Sequence, residues 1–501
     1  MVSLKSTLPE FNDINDIISY YSQSSDFSNL MISNELTLSI AYFGSLVDEK
    51  IIHENISTPI LDKIEEISSL NLEAIRKILP IKDTKIQNNM EDITQQVLQG
   101  KSLIFFKDNA DRCIVVNSLA TSKGYREQND AENESSVIGP KVGFVENIDT
   151  NLRLLRKSLN TPNLKFEEMV VGTTSNTKVV IAYLDGVINK EYLYTARQRI
   201  KDLDYDLICD SSMLDQLITD NSNTPFPLLL TTERVDRAAF CLINGQLTIL
   251  CDGSPYAINA PTSIFDFFVS PEDYLLPWVL GSFFRMIRFL GVMFSITATP
   301  IYVAVLTYHI AIIPKDMLGP IIDSRVNVPF PPLIEALFLE IIIEFLREAG
   351  ARLPTKVGQT LGIVGGIVIG QAAVEAALTS NILLIIVALS ALASFTTPTF
   401  KMSNTIRFLR FPLIILASIW GGLGLVAGVI ILFTHIIRLK SFGIPYLAPL
   451  YPLRYRDLTD GFLRFPLLMI NKRRTIFRPL IQSRFSVKAK IKDKRDDFNN
   501  E

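Results

Sequence analysis

The sequence predicts a multi-domain protein. A soluble α/β part comes first, an all-α polytopic membrane domain of four to six helices follows, and a basic C-terminal tail closes the chain. Three observations carry this reading. Mean hydropathy is +0.26 although 20% of the residues are charged, so charge and apolar residues are segregated along the chain. Residues 1–276 carry a net charge of -15, residues 277–452 carry +5 and residues 453–501 carry +7, which cancel to the overall -3. Long uncharged runs are confined to the middle part. Phe289–Ile313 is 25 residues without Asp, Glu, Lys or Arg. As a helix it covers roughly 37 Å, against a hydrocarbon core of about 30 Å.

Taken in order, residues 1–28 read as a polar, flexible N-terminal tail. They lack the apolar stretch of a signal peptide, so the acidic part is expected to stay in the cytoplasm. Residues 29–140 and 141–274 read as two small cytoplasmic α/β subdomains. In the first, Ser102–Lys107 and Arg112–Asn117 flank a polar turn and predict a hairpin, and Leu61–Leu79 and Asn88–Leu98 have helical spacing. In the second, Val179–Leu184 and Leu247–Cys251 predict strands, Lys190–Leu203 a helix, and Asp252-Gly-Ser-Pro255 a turn. Pro271–Arg288, with Trp278, Phe283 and Phe284 beside Arg285 and Arg288, reads as an interfacial elbow into the membrane domain, residues 275–452.

Within that domain Val357–Phe400 holds one charge, Glu375, and predicts two helices joined near Thr379–Asn381. Phe411–Ile437 is 27 uncharged residues and reads as one further span. A fifth apolar stretch, Pro331–Arg347, carries Glu340, Glu344 and, just beyond it, Glu348 on one face. It is compatible with a crossing, an interfacial helix or the lining of something wet. The basic tail, residues 453–501, is expected inside by the positive-inside rule. Both ends inside require an even number of crossings.

The chemistry of known enzymes is not signalled. The four cysteines form no CxxC pair, the three histidines fall in separate regions, and no phosphate-binding GxxxxGK[ST] loop occurs. No metal or cofactor is expected, and no enzyme. Gly422-Leu-Gly424-Leu-Val-Ala-Gly428 lies inside an apolar run and reads as helix packing. The distinctive segment is 357–375. Gly358, Gly362, Gly366 and Gly370 recur every four residues and form a close-packing face. Thr360, Val364, Gln371 and Glu375 fall near the opposite face, unusually polar for lipid. Two readings stand. One is a tightly packed helix in a monomeric bundle. The other is a pore-lining helix repeated around a ring, with Thr360, Val364, Gln371 and Glu375, and Glu340 and Glu344 of the neighbouring stretch, facing water and favouring cations.

The residues from about Gly139 to Asn471 resemble a known family. The resemblance rests on Gly139-Pro-Lys-Val-Gly-Phe-Val-Glu-Asn-Ile-Asp-Thr-Asn151, Thr231-Thr-Glu-Arg-Val-Asp236, Asp252-Gly-Ser-Pro255 and Pro329-Phe-Pro-Pro332. It continues through Glu335, Arg347-Glu-Ala-Gly350, Pro354, Gly362-Ile-Val-Gly-Gly366, Gly370-Gln-Ala-Ala-Val-Glu375 and Ser441-Phe-Gly-Ile-Pro-Tyr-Leu-Ala-Pro449. This pattern resembles the spore germination protein A family, the A subunits of GerA-type nutrient germinant receptors of endospore-forming bacteria. One departure is Val235-Asp236, where the family shows Pro-Asp. The resemblance implies a multi-pass subunit of the spore inner membrane with both termini cytoplasmic. It implies two partners, a transporter-like B subunit and a C-subunit lipoprotein. It also implies a homo-oligomer, a pentamer by the family's pattern, with a ligand-gated cation-conducting pore. A non-conducting signalling scaffold, and a paralogous germination-amplifying ion channel, are the alternatives.

Overall fold

The computed structural model describes residues 11–33, 37–63, 71–81, 83–119, 134, 138–352, 368–467 and 469–484. The chain enters through α1 (Ile14–Tyr21), not through a loose tail. The Asp13 side chain accepts from the Asp16 amide and caps this helix, and Ile14, Ile17 and Tyr21 are buried in the first core. The boundary expected at residue 29 is corrected here: the apolar residues of 14–21 fall on one helical face, which the polar average of 1–28 hides.

The first subdomain continues as β1 (Phe27–Ser33), β2 (Leu38–Phe43), α2 (Glu49–Ile52), α3 (Thr58–Asp62), α4 (Leu72–Ile78), β3 (Thr84–Gln87), α5 (Met90–Leu98), β4 (Lys101–Phe106) and β5 (Asn109–Asn117). All pairings are antiparallel, in the order β1-β2-β4-β5-β3. The β4–β5 hairpin is the one the sequence pattern predicts.

The second subdomain runs α6 (Ile148–Ser158), β6 (Leu164–Val171), β7 (Thr177–Leu184), α7 (Lys190–Lys201), α8 (Ser211–Ile218), β8 (Leu230–Thr232), α9 (Val235–Ile243), β9 (Leu247–Cys251) and β10 (Ala257–Ala260). Its sheet has the order β6-β7-β9-β10-β8, again antiparallel. The two subdomains therefore repeat one plan: helix, hairpin, helices, strand, helix, hairpin. They meet at Arg156, whose guanidinium donates to both carboxylate oxygens of Asp26 at 2.6 Å and lies over the Phe43 ring.

The helical region follows as α10 (Glu272–Leu275), α11 (Trp278–Tyr308), α12 (Lys315–Asp323), α13 (Pro332–Arg352), a helical segment at 368–375, α14 (Asn381–Ser394) and α15 (Phe400–Arg438). By length and composition α11, 31 residues with mean hydropathy 1.9, and α15, 39 residues with mean hydropathy 2.4, are long and apolar enough to cross a membrane.

The stretch expected as one span from Phe411 to Ile437 is instead a helical hairpin. Gly421 takes φ 60, ψ -136 and breaks α15, a conformation open to glycine and costly for other residues. The two halves then touch: a Cβ on Gly424 would collide with the Leu416 carbonyl oxygen, and one on Gly428 would lie 2.5 Å from the Leu413 side chain. The glycines read as helix packing thus pack the hairpin against itself. Both hairpin ends reach the second subdomain. Thr405 Oγ1 donates to the Pro225 carbonyl at 2.5 Å, and His435 Nε2 lies 2.9 Å from Thr224 Oγ1. The tip sits at the far end of α11, where the Gly422 amide donates to His309 Nε2 at 3.1 Å.

Residues 453–484 do not form a free tail. After α16 (Tyr455–Gly461) the chain folds back on the second subdomain, with Arg473, Arg474, Ile476 and Phe477 buried. Positive charge suggests a solvated tail, but Arg474 is ion-paired with Asp266 and Asp460, and Arg473 donates to the carbonyls of Ile243, Ile481 and Ser483.

Candidate functional site

The helices place a ladder of polar side chains inside the bundle. Its spine is α13, which carries Glu335, Glu340, Glu344 and Arg347 on successive turns. Opposite it, Ser295 and Thr299 of α11, Ser390 and Ser394 of α14, and Arg407 and Arg410 of α15 recur at three- or four-residue spacing, so each set shares one helix face. Three rungs result.

The rung nearest the hairpin tip is centred on Glu335, whose side chain is fully buried. Its Oε1 accepts from the Ser380 amide at 2.6 Å and from Thr379 Oγ1 at 3.3 Å, and Arg325 lies 3.3 Å from its Oε2. This carboxylate sits at the N-terminus of α14, where the helix dipole favours a negative group. In the middle rung Arg410 pairs with Glu340, both almost fully buried. Thr299 donates to Glu340 at 2.9 Å, and Arg410 reaches Ser295 Oγ at 2.8 Å and the Ser390 carbonyl at 3.3 Å. The rung nearest the sheets joins Glu344 to Arg347 at 2.6 Å and to Arg407 at 3.6 Å. Asn404 and Ser394 complete it, accepting from Arg407 at 2.6 and 3.3 Å.

This arrangement corrects one expected site residue. Glu340 does not face a wet path in the chain, because Arg410 and Thr299 take its carboxylate inside the bundle. Glu344 is likewise held by Arg347 and Arg407, although it keeps partial exposure. The Glu stripe was visible in the sequence, but its partners were not. Arg407 and Arg410 lie far from this stripe in the sequence, and only the fold carries them across to α13. Thr360, Val364, Gly358, Gly362 and Gly366 lie outside the described residues. Gln371 and Glu375 are exposed, and Gln371 Nε2 donates to Glu375 Oε1 at 2.9 Å. Gly370 faces α14, with Leu384 at 3.7 Å from its Cβ position.

A second network locks the elbow where the sheets meet the bundle. Arg285, fully buried, donates to Asp273 at 3.2 Å and to the Asp460 carbonyl at 2.7 Å. Arg474 bridges Asp266 at 2.5 Å and Asp460 at 3.1 Å. Burial penalises the Arg474 charge, but Asp460 and Asp266 outweigh that and hold it firmly protonated. Arg285 thus serves as a buried tie rather than an interfacial anchor, while Trp278, Phe283 and Phe284 remain exposed on the elbow. Sequence spacing could not find this cluster, since its members come from residues 266, 273, 285, 460 and 474. Among the described residues no group of three or more His, Cys, Asp or Glu is placed to hold a metal ion.

Residues 11–476 match the family model described as the Bacillus/Clostridium GerA spore germination protein. The chain belongs to this family. It is 46% identical over 491 residues to spore germination protein GerQA of Bacillus cereus, covering 97% of each chain. It is 46% identical over 478 residues to spore germination protein GerIA of Bacillus cereus, covering 94% of this chain and 71% of that one. It is also similar to the crystal structure of the N-terminal domain of the A subunit of the Bacillus megaterium spore germinant receptor GerK3. There the identity is 27% and the TM-score 0.38, over 50% of this chain and 95% of that one. Membership in the family agrees with the resemblance read from residues 139–471.

Proposed function

We propose that the chain is the membrane A subunit of a spore nutrient germinant receptor and forms part of a cation-conducting ring. In this reading the helical region crosses the spore inner membrane six times. The legs are α11, α13, the stretch through 368–375, α14 and the two halves of α15. Folding α15 back at Gly421 makes the count even, which supports placing both soluble ends on one side, the cytoplasmic side in this reading. A transporter-like B subunit and a C-subunit lipoprotein complete the receptor, and copies of this chain surround the pore, five in the family's pattern.

The observation that carries the pore is the Gln371–Glu375 pair. It is exposed on an apolar bundle and, among the described residues, is bonded within its own helix segment. Ionisable side chains at membrane depth face protein or water rather than lipid, so this face calls for a second copy or an aqueous path. The ladder through Glu340 and Arg410 is then the rigid wall behind the pore helix.

The test is ion flux through liposomes containing the purified chain. A cation leak that loses selectivity in Glu375→Gln and disappears in Gly362→Leu supports the pore. No flux from correctly inserted protein favours the alternative, a non-conducting scaffold that anchors the sheets. Whether the chain serves a primary receptor or amplifies germination as a related channel is decided by which nutrient responses a deletion strain loses.

A further inference from the structure

A cavity of about 180 Å³ lies between α9 and the elbow. Leu230, Phe240, Cys241, Val269, Tyr274 and Leu275 supply its apolar walls. The Phe240 and Tyr274 rings are 4.9 Å apart and form an aromatic side to it. An engineered apolar cavity of about 150 Å³ stays dry and takes up benzene, so this space admits a guest of one aromatic ring.

The charged groups around the cavity decide what kind of guest fits. Each is already engaged by the protein. Asp236 accepts both hydrogen bonds of Arg234, at 3.0 and 2.7 Å. Arg237 donates to Glu134 at 2.9 Å and to the carbonyls of Asp266 and Val269 at 3.0 and 3.2 Å. The Asp266 carboxylate is shared between Arg474 and Ser263. The Tyr274 hydroxyl donates to Asp460 at 2.8 Å. A carboxylate or ammonium ion entering here would lose its hydration and find the charged groups among the described lining residues already bound by the protein. A neutral ring carries no charge to desolvate and gains contact with the apolar walls.

We infer that this cavity is a binding site for a small neutral aromatic molecule, wedged between the second sheet domain and the entry to α11. Its walls join α9 to residues 269–275, so an occupant bears on the joint through which the sheets hold the first membrane helix. The assignment is independent of the pore reading.

The probes are benzene, benzoate and benzylammonium, added to the full chain in lipid nanodiscs while thermal unfolding is followed. Benzene is expected to raise the melting temperature saturably, since a ligand that binds only the folded state stabilises it. Benzoate and benzylammonium, with the same ring, are expected to leave it unchanged. Cys241→Phe and Val269→Phe, which fill the space, are expected to abolish the benzene response. No response to benzene, equal responses to the charged probes, or an unsaturable benzene response that persists in the filled variants would overturn the site. Should a filled variant not fold, the neutral-versus-charged comparison on the unmodified chain decides alone.

Discussion

The two sheet domains share one strand order and differ in what they bury. Among the described residues of the first core the buried polar groups are mostly small, such as Ser39, Ser102 and Thr84, with no buried Lys or Arg, and the buried Asp26 carboxylate lies at the joint with the second subdomain. The second buries Arg156, Lys165, Arg234 and Arg237. These charges do not mark a weaker core, because they gather at joints. Arg156 reaches Asp26 of the first subdomain, and Lys165 donates to the Tyr20 carbonyl at 2.5 Å. Burial lowers the Lys165 ammonium to a pKa of about 8, held from falling further by Asp185 and Asp26. Arg237 binds the carbonyls that lead into the elbow. The same fold thus serves once as a distal unit and once as a socket gripped from three sides. Buried charge in this protein marks docking, consistent with the small net stability such pairs add elsewhere.

The comparison extends to the bundle, where the largest effect is expected. Arg410→Leu leaves Glu340 buried and unpaired. That costs about 3–5 kcal/mol, enough to remove most folded protein extracted from membranes. Replacing both partners by Met is expected to recover much of the yield. Failure of the double variant would show that the pair does more than satisfy itself.

Core truncations separate the two sheets. Ile104 in β4 and Ile249 in β9 are both fully buried, and replacing either by Ala costs about 2–5 kcal/mol. Hydrogen exchange is expected to show Ile104→Ala loosening only the first subdomain. Ile249→Ala is expected to loosen the elbow and residues 440–484 as well. Identical exchange footprints would remove the distinction between distal unit and socket.

The Asp26–Arg156 joint is tested by pH. Burial alone would raise the Asp26 pKa, but the Arg156 charge and the hydrogen bonds from Arg156, Ser24 and Ser45 bring it below the usual carboxylate value. A carboxylate depressed in the folded state contributes stability above its unfolded pKa of about 3.9 and loses it as pH falls through the folded value. Contact between the subdomains is therefore expected to hold from neutral pH down to about 4 and to weaken below that. Asp26→Asn should weaken it at neutral pH and remove this acid step, as monitored by proteolysis between the subdomains. A smaller effect, about 1 kcal/mol, is expected in thermal unfolding from Asn189→Ala, which removes the side chain that caps α7 at the Glu191 amide.

The strands that were legible in the sequence, four of the ten in the two sheets, were so because their apolar spacing is local, whereas the helix expected over Leu61–Leu79 is described only as α3 ending at Asp62 and α4 over Leu72–Ile78. Ser102–Lys107, Val179–Leu184 and Leu247–Cys251 each fall within a strand or overrun its end by one residue. The first helix escaped because Ile14, Ile17 and Tyr21 are embedded in a stretch whose average is polar. The hairpin in α15 escaped because an uncharged run carries no mark of where it turns, and glycine serves both packing and reversal. In the candidate site, the face of Gln371 and Glu375 was legible from helical spacing. The partners of Glu340 were not, since Arg410 lies 70 residues away and only tertiary packing brings the two together.

The claim on which the account rests is that α15 goes out and returns, so that its tip and the sheets lie on opposite sides of one membrane. Cys209 is exposed in the second subdomain, and Leu423 is 79% exposed beside the Gly421 turn. Oriented vesicles carrying Leu423→Cys can be treated with a membrane-impermeant thiol reagent from one side at a time. The predicted result is labelling of Cys209 from the cytoplasmic face and of the thiol introduced at position 423 only from the other face. Labelling of both from the same face would contradict the hairpin topology and the even count of crossings built on it.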